Sequence, residues 1–134
     1  MTAPFRVLSI PSGIARDLVL AARAVERELP GVYARSTFFG VDLDPAPVKL
    51  SRDLAGRDDH YFFTRGDALD ATSFPSELDV IVSTGLGEFL SDDLLVQFYK
   101  NCHDRLRPGG TFVTSSMQPD RVADPGHRRV RDDR

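Results

Sequence analysis

The stretch FRVLSIPSGIARDL, residues 5–18, joins two different hydrophobic patterns. Phe5–Ile10 is a short apolar run typical of a buried strand, whereas from Ile14 onward apolar residues recur every three or four positions, as on one face of a helix. Gly13 lies where the pattern changes. A strand that turns through a glycine into a helix begins a βαβ unit, so this stretch predicts a parallel sheet.

The same alternation continues along the chain. Short segments rich in Val, Ile, Phe and Thr predict strands at 5–10, 36–42, 60–65, 78–84 and 110–117. The connection 67–77 is long and has room for one helical turn. Helical segments between strands favour an α/β fold in which a doubly wound parallel sheet binds ligands beyond the carboxyl ends of its strands.

Three helices have recognisable ends. The first carries Ile14, Leu18, Ala21, Ala22, Val25 and Leu29 on one face, and Pro30-Gly31 ends it. Asp44-Pro45 opens the second as N-cap and N1 residues, and Gly56 ends it. Ser91-Asp92-Asp93 opens the third, and Pro108-Gly109-Gly110 breaks it; its predicted apolar face is Leu94, Leu95, Phe98, Tyr99, Cys102 and Leu106.

Length and composition restrict the class of protein. A chain of 134 residues with a formal charge of −3 predicts one globular domain without general attraction to nucleic acid or anionic lipid. The sequence lacks a run of roughly 18 apolar residues and a signal-peptide pattern, so we expect a cytoplasmic protein that does not bind membranes. The single cysteine, Cys102, excludes an internal disulfide and a Cys-based zinc site.

The predicted strand ends carry a set of residues suited to a nucleoside. The Gly13 loop leads into a helix N-terminus, which favours an anionic group. Asp42 ends the second strand, where a carboxylate can accept hydrogen bonds from ribose hydroxyls. Asp67-Ala68 follows the third strand and adds a second acidic group beside a small residue. Together these three features predict a nucleoside site.

With these motifs in this order, the sequence resembles the class I S-adenosylmethionine-dependent methyltransferases over about residues 5–117. The segments that carry the resemblance are VLSIPSGIARDL, FFGVDLDP, RGDALD, LDVIVSTGLGEFL and LRPGGTFVTSS. The resemblance implies a three-layer Rossmann-like sheet of strand order 3-2-1-4-5 that lacks the family's sixth and seventh strands. It also implies S-adenosyl-L-methionine as cofactor, a methyltransferase domain over 1–117, and a flexible tail or truncated continuation over 118–134.

The resemblance also assigns roles by position. Ser12 and Gly13 would face the methionine part. Because Ser9 brings no charge for the methionine ammonium group, Asp17 is our candidate substitute there, and Arg16 is the candidate partner of the carboxylate. Asp42 and Leu43 would contact the ribose side, Asp67 the adenine amino group and Ala68 the adenine pocket. Thr84 to Glu88 would lie near the sulfonium, and Glu88 is the candidate catalytic base. The implied reaction is methyl transfer to a small-molecule acceptor.

Several of these residues have structural alternatives. Gly13 also suits close helix packing, Asp67 also suits loop capping, and Asp17 also suits the positive end of a helix dipole. Arg16 is equally suited to the surface, and Glu88 to the acidic approach to the third helix. Asp44 is expected to be an N-cap rather than one half of a metal-binding D-x-D pair, and the scattered His60, His103 and His127 lack metal-ligand spacing, so we expect no metal site.

Two departures from the family pattern keep other functions open. Ser9 and Pro11 stand where the family usually has an acidic residue and a glycine, and proline offers no N–H group. The chain also ends after the fifth strand, so we expect a second copy or a further segment to cover the exposed sheet edge. The alternatives are a nucleoside-binding or interaction module without methyl transfer and, with less support, an NAD-dependent oxidoreductase domain.

Overall fold

The computed structural model describes residues 4–13, 15–86 and 90–114. In these ranges the strands are β1 Phe5–Ser9, β2 Ser36–Asp42, β3 Tyr61–Arg65, β4 Leu78–Ser83 and β5 Leu106–Thr114. The helices are α1 Arg16–Glu28, α2 Pro30–Ala34, α3 Pro45–Ala55 and α4 Asp92–Arg105, and Ala71–Ser73 forms a 3₁₀ turn. Within the same ranges, no helix has the length and apolar character that a membrane crossing requires.

The strands form one parallel sheet of order β3-β2-β1-β4-β5. This arrangement confirms the α/β class and the predicted strand order. Ser9 of β1 pairs with Gly40 of β2 on one side and with Val82 of β4 on the other. The chain order reverses at β1, so the carboxyl ends of β1, β2 and β4 meet where doubly wound sheets bind ligands.

The sheet is covered by apolar clusters on both faces. Successive side chains of a strand point to opposite faces, so neighbours such as Val7 and Leu8 enter different clusters. The cluster on the side of α1 and α3 contains Val7, Val19, Ala22, Phe38, Val48 and Phe63. The cluster on the side of α4 contains Leu8, Ile10, Val41, Phe74, Leu78, Ile81, Phe98 and Cys102. Burial raises the pKa of the Cys102 thiol to about 12, which agrees with its predicted core position.

The predicted helix caps at three positions are confirmed. Asp44 caps α3 by accepting a hydrogen bond from Ala46 N at 3.0 Å. Ser91 caps α4 by accepting one from Leu94 N at 3.4 Å. Gly56 ends α3 with a φ of +70°, a conformation that favours glycine. Local hydrogen-bonding preferences therefore determine these ends, as the sequence indicated.

The Pro30-Gly31 pair has a different role from the one predicted. α1 ends at Glu28, but Pro30 then begins the unpredicted helix α2, where its missing N–H is tolerated in the first turn. Leu29 is the residue between the two helices and is 56% exposed, so its assignment to the apolar face of the first helix was wrong. The helical periodicity of the sequence continues past Glu28, but the helix itself does not.

The start of β5 was also predicted wrongly. Leu106 belongs to β5 and not to the face of α4, and the strand begins there rather than at residue 110. The register shifts between Leu78 and Val80, and the Arg107 guanidinium forms an ion pair with Asp79 at 3.1 Å. The Pro-Gly-Gly segment thus lies within β5, at the shift of register in its pairing with β4. Residues 115–117 of the predicted strand lie outside the described residues.

A polar network lies where β3 begins. The Tyr33 hydroxyl donates to Asp58 Oδ2, and Asp58 Oδ1 accepts from His60 N at 2.9 Å and lies 2.7 Å from His60 Nδ1. Burial acts to raise the pKa of Asp58, but the hydrogen bonds from Tyr33 and His60 outweigh it and the pKa is lowered. Burial together with the bond to Asp58 raises the pKa of Tyr33. The network links α2 to the chain entering β3.

The lowered pKa of Asp58 predicts a pH-dependent contribution to stability. A carboxylate with a lowered folded-state pKa stabilises the fold above its ordinary value of 3.8, and this contribution is lost as pH falls through the folded-state pKa. Tyr33→Phe should lower the free energy of unfolding by about 1 kcal/mol near neutral pH. Urea unfolding over a range of pH should show the difference from the unmodified protein shrinking in acid. A difference independent of pH would contradict this assignment.

Candidate functional site

The carboxyl ends of β2 and β3 enclose a cavity of about 270 Å³, here called the β2–β3 cavity. Four predicted ligand residues, Asp42, Leu43, Asp67 and Ala68, line it. The rest of its wall is mostly apolar and consists of Ile10, Pro11, Val41, Gly66, Leu69, Leu86 and Leu90. The structure therefore brings the two acidic strand ends together around a small apolar space.

A second cavity of about 430 Å³, here called the α1 cavity, lies between α1 and the sheet. Three predicted ligand residues, Ser12, Asp17 and Thr84, line it, as does Ser9. Its other lining residues are Phe5, Val7, Pro11, Ala15, Leu18, Ala21, Val25, Phe38 and Val82. Pro11 lines both cavities, so the two adjoin at the loop that follows β1.

The Asp42 carboxylate is bonded to backbone on two sides. Its Oδ2 accepts a hydrogen bond from Gly13 N at 2.7 Å, and its Oδ1 accepts one from Asp44 N at 3.0 Å. An ionised carboxylate has about four acceptor positions, so these two bonds fix its orientation and leave acceptor capacity for a ligand. Asp42 thus joins the glycine loop to the start of α3 while lining the β2–β3 cavity.

The glycine loop lies directly against β2. Gly13 has a φ of +56°, and Ser12 N donates to Val41 O at 2.9 Å. A Cβ added at Gly40 would lie 2.5 Å from Cδ1 of Phe63 and 3.2 Å from Ser12 Cβ. Glycine at position 40 therefore permits the close approach of the loop, while Gly13 supplies the left-handed turn.

Asp67 forms a local turn and also faces the cavity. Its Oδ1 accepts from Leu69 N at 2.9 Å, and its backbone N donates to Ser73 Oγ at 3.0 Å. The capping role that the sequence left open is therefore present in the structure. Because Asp67 also lines the β2–β3 cavity, this turn is compatible with ligand binding by the same carboxylate.

The remaining predicted site residues have different placements. Arg16 and Asp17 are both exposed in the first turn of α1, and only Asp17 lines the α1 cavity. Thr84 follows β4 at the same cavity. Arg16 is absent from the walls of both cavities, so the structure favours its surface alternative. Glu88, the candidate base, lies outside the described residues.

Comparison with protein families identifies the fold and the site as parts of a known domain. The family model described as a methyltransferase domain matches residues 8–112, from the last two residues of β1 through most of β5. The chain belongs to this methyltransferase domain family. The match spans the Gly13 loop, Asp42 and Asp67, and it includes every residue that lines the β2–β3 cavity. It also includes the residues that line the α1 cavity, except Phe5 and Val7. No curated protein matches the sequence.

Several solved structures share this fold. A protein from a study of conversion of a disulfide bond into a thioacetal group during echinomycin biosynthesis is 24% identical, with a TM-score of 0.70, over 87% of this chain and 46% of its own. A TehB-like SAM-dependent methyltransferase from Corynebacterium glutamicum is 22% identical, with a TM-score of 0.65, over 85% of this chain and 55% of its own. The glycopeptide N-methyltransferase MtfA, solved with S-adenosylmethionine, is 17% identical, with a TM-score of 0.67, over 88% of this chain and 47% of its own. The chain thus spans about half the length of these proteins.

Sequence reasoning missed two buried polar residues that hold the loops of the methyltransferase domain. Ser51 of α3 contacts the backbone of the glycine loop, and Asn101 of α4 donates to Ala68 O at 3.0 Å. Each lies on a helix face whose other buried residues are apolar, as Ser51 does between Val48 and Ala55. A polar residue on an apolar helix face was the available signal, but its partners are distant in sequence.

Gly66 provides a test of how tightly the β2–β3 cavity is built. A Cβ added there would lie 2.8 Å from Cγ1 of Val41 and 2.9 Å from Ser73 Cβ, so Gly66→Ala should lower the free energy of unfolding by about 1–3 kcal/mol. Gly31→Ala is the matched control, because nothing lies within 4 Å of an added Cβ in α2. Chemical denaturation of both variants measures the difference. Equal stability of Gly66→Ala and the unmodified protein would show that the strand ends are not closely packed.

Proposed function

We propose that this methyltransferase domain binds S-adenosyl-L-methionine and transfers its methyl group to a small-molecule acceptor. The observation that carries the proposal is the Asp42 carboxylate, fixed by two backbone N–H groups at the edge of an apolar cavity. Membership of the methyltransferase domain family supports the reaction class. The complex of the similar glycopeptide N-methyltransferase MtfA with S-adenosylmethionine supports the choice of cofactor.

The β2–β3 cavity has the chemistry that an adenosine group requires. Leu43, Leu86 and Ala68 offer apolar contact to a planar base, and Asp67 offers an acceptor for its amino group. Asp42 has acceptor capacity for the ribose hydroxyls after bonding Gly13 N and Asp44 N. These are the residues that we propose hold the nucleoside.

The methionyl part is proposed to lie on the α1 side of Pro11. Ser9, Ser12, Asp17 and Thr84 provide the polar groups of the α1 cavity, and Asp17 is its acidic side chain. We propose that Asp17 faces the methionyl ammonium, because β1 ends in serine rather than in a carboxylate. Pro11 has no N–H to donate, so binding at this end depends on the neighbouring residues of the loop.

The proposed chemistry is displacement at the methyl carbon. When bound, S-adenosylmethionine supplies an electrophilic methyl group: the acceptor's nucleophile forms the new bond, the carbon–sulfur bond breaks with its electron pair remaining on sulfur, and the acceptor loses a proton. The residues of this chain contribute by orienting the donor and excluding water. Glu88 remains our proposed base for an acceptor that must be deprotonated.

The wider organisation is also part of the proposal. We propose that residues 1–117 form the cofactor-binding domain and 118–134 a tail or continuation. In the described sheet, β5 is the last strand and pairs with β4 on one side. A second copy or a further segment is proposed to cover its other edge. We propose a cytoplasmic location, which agrees with the free, buried thiol of Cys102.

Calorimetric titration of the full chain with S-adenosylmethionine, S-adenosylhomocysteine and NAD tests the proposed cofactor. Binding of the two S-adenosyl compounds and not of NAD is expected. Binding of NAD alone would favour the oxidoreductase alternative, and binding of none of them would contradict the proposal. A domain that binds the S-adenosyl compounds but transfers no methyl group to any nucleophile supplied would be a binding module.

Asp42→Ala tests the residue that carries the proposal. Loss of a charged acceptor should weaken S-adenosylhomocysteine binding about tenfold to a hundredfold, measured by the same titration. Asp44→Ala is the matched control, because this neighbouring acid caps α3 and is proposed to make no ligand contact. It should lower stability by about 1 kcal/mol and leave the affinity within about threefold of the unmodified value. Equal affinities of both variants would refute the ribose assignment.

A further inference from the structure

We infer that Ser51 and Asn101, two buried polar residues outside both cavities, are positioning residues that hold opposite ends of the cofactor site. Ser51 fixes the glycine loop and therefore the methionyl end, whereas Asn101 fixes the loop after β3 and therefore the adenine end. The inference rests on the proposed function, because it uses the assignment of these two loops to the two ends of S-adenosylmethionine. Neither residue is among those that line the two cavities.

Ser51 is placed to orient the backbone of the glycine loop. Its Oγ accepts a hydrogen bond from Ala15 N at 2.9 Å and lies within donating distance of Pro47 O at 2.8 Å and Gly13 O at 3.1 Å. A hydroxyl has one proton and two lone pairs, so it can accept from Ala15 while its proton is shared between the two carbonyls. Ser51 is fully buried, so water cannot readily replace it when the hydroxyl is removed.

The contacts of Ser51 complete the anchoring of Gly13. Asp42 holds Gly13 N, and Ser51 faces Gly13 O, so the residue is held on both sides in its left-handed conformation. Ala15 is the N-cap residue of α1, which has no side-chain cap of its own, and Ser51 therefore supplies that cap from another helix. Ser51 thus links the start of α1 to the loop before it, beside the bond that Gly13 makes to Asp42.

Asn101 has the equivalent place at the other loop. Its Nδ2 donates to Ala68 O at 3.0 Å, and Gln97, one turn earlier on α4, donates from Nε2 to Leu69 O at 2.8 Å. These bonds attach the Asp67 turn to α4 through backbone carbonyls and leave the Asp67 side chain at the β2–β3 cavity. Asn101 is 8% exposed, so removing its amide leaves the half-buried Ala68 carbonyl without this partner.

The test compares two ligands that share adenosine but differ in the methionyl part. In titrations of the full chain, Ser51→Ala should weaken the binding of S-adenosylhomocysteine about tenfold and the binding of adenosine less than about threefold. Asn101→Leu, which keeps the side-chain size, should weaken both about tenfold. Ser36→Ala is the control for removing a buried serine, because its hydroxyl donates to Val32 O away from both loops, and it should change neither affinity.

Two further measurements separate positioning from a general loss of structure. Ser51→Cys keeps an atom at the γ position but weakens the hydrogen bonds, so it should reproduce the selective loss; affinities equal to those of the unmodified protein would show that packing is the cause and overturn the inference. In the free protein, amide exchange at Ala15 should be about tenfold faster in Ser51→Ala and unchanged in Asn101→Leu.

The failures of the two proposals are distinguishable. An unmodified chain that does not bind S-adenosylhomocysteine contradicts the proposed function. An unmodified chain that binds it, with Ser51→Ala reducing both affinities equally or neither, contradicts only the assignment of Ser51. Loss of S-adenosylhomocysteine binding with adenosine binding retained in Asn101→Leu would contradict the assignment of Asn101.

Discussion

The hydrogen bonds accepted by Asp42 connect the parts of the structure that make the site. One carboxylate holds Gly13 N in the loop after β1 and Asp44 N at the start of α3. Pairing of Ser9 with Gly40 places the ends of β1 and β2 side by side, which makes this contact possible. Without Asp42, the turn at Gly13 would lose its bond to β2, and the β2–β3 cavity would lose an acidic group from its wall.

Close packing of backbone around this carboxylate gives the site its shape. Gly40 and Gly66 have neighbours that leave no room for a Cβ atom, so the loops after β1 and β3 lie directly against β2. Pro11 lines both the mostly apolar β2–β3 cavity of about 270 Å³ and the larger α1 cavity of about 430 Å³. S-adenosylmethionine has a nucleoside at one end and an amino acid at the other, and we propose that each end occupies one of these two cavities.

The features that the sequence predicted correctly are those encoded by neighbouring residues. Alternation of strand and helix periodicity determined the sheet class, and the caps Asp44 and Ser91 were recognisable because their partners lie two or three residues away. Asp42 and Asp67 could be located because each follows an apolar strand. The chain order of the motifs then supplied the strand order through the family resemblance.

Features that depend on distant partners could not be found in this way. Ser51 and Asn101 bond backbone atoms more than 30 residues away, so nothing beside them in the sequence indicates their roles. Leu106 has the spacing of the preceding helix, and the Pro-Gly-Gly segment after it indicates a break before the strand. Its pairing with Leu78 of β4 nevertheless makes it the first residue of β5. The short helix α2 is likewise tied to Asp58 through Tyr33.

Amide chemical shifts during titration with S-adenosylhomocysteine test the account most directly. If the Asp42 carboxylate holds a ribose at the β2–β3 cavity, the amides of Gly13, Asp44 and Leu69 should shift together, because each donates to Asp42 or Asp67. The amide of His60, which donates to Asp58 at the start of β3, should not move. Shifts centred on His60 with none at Gly13 and Asp44 would contradict the proposed site.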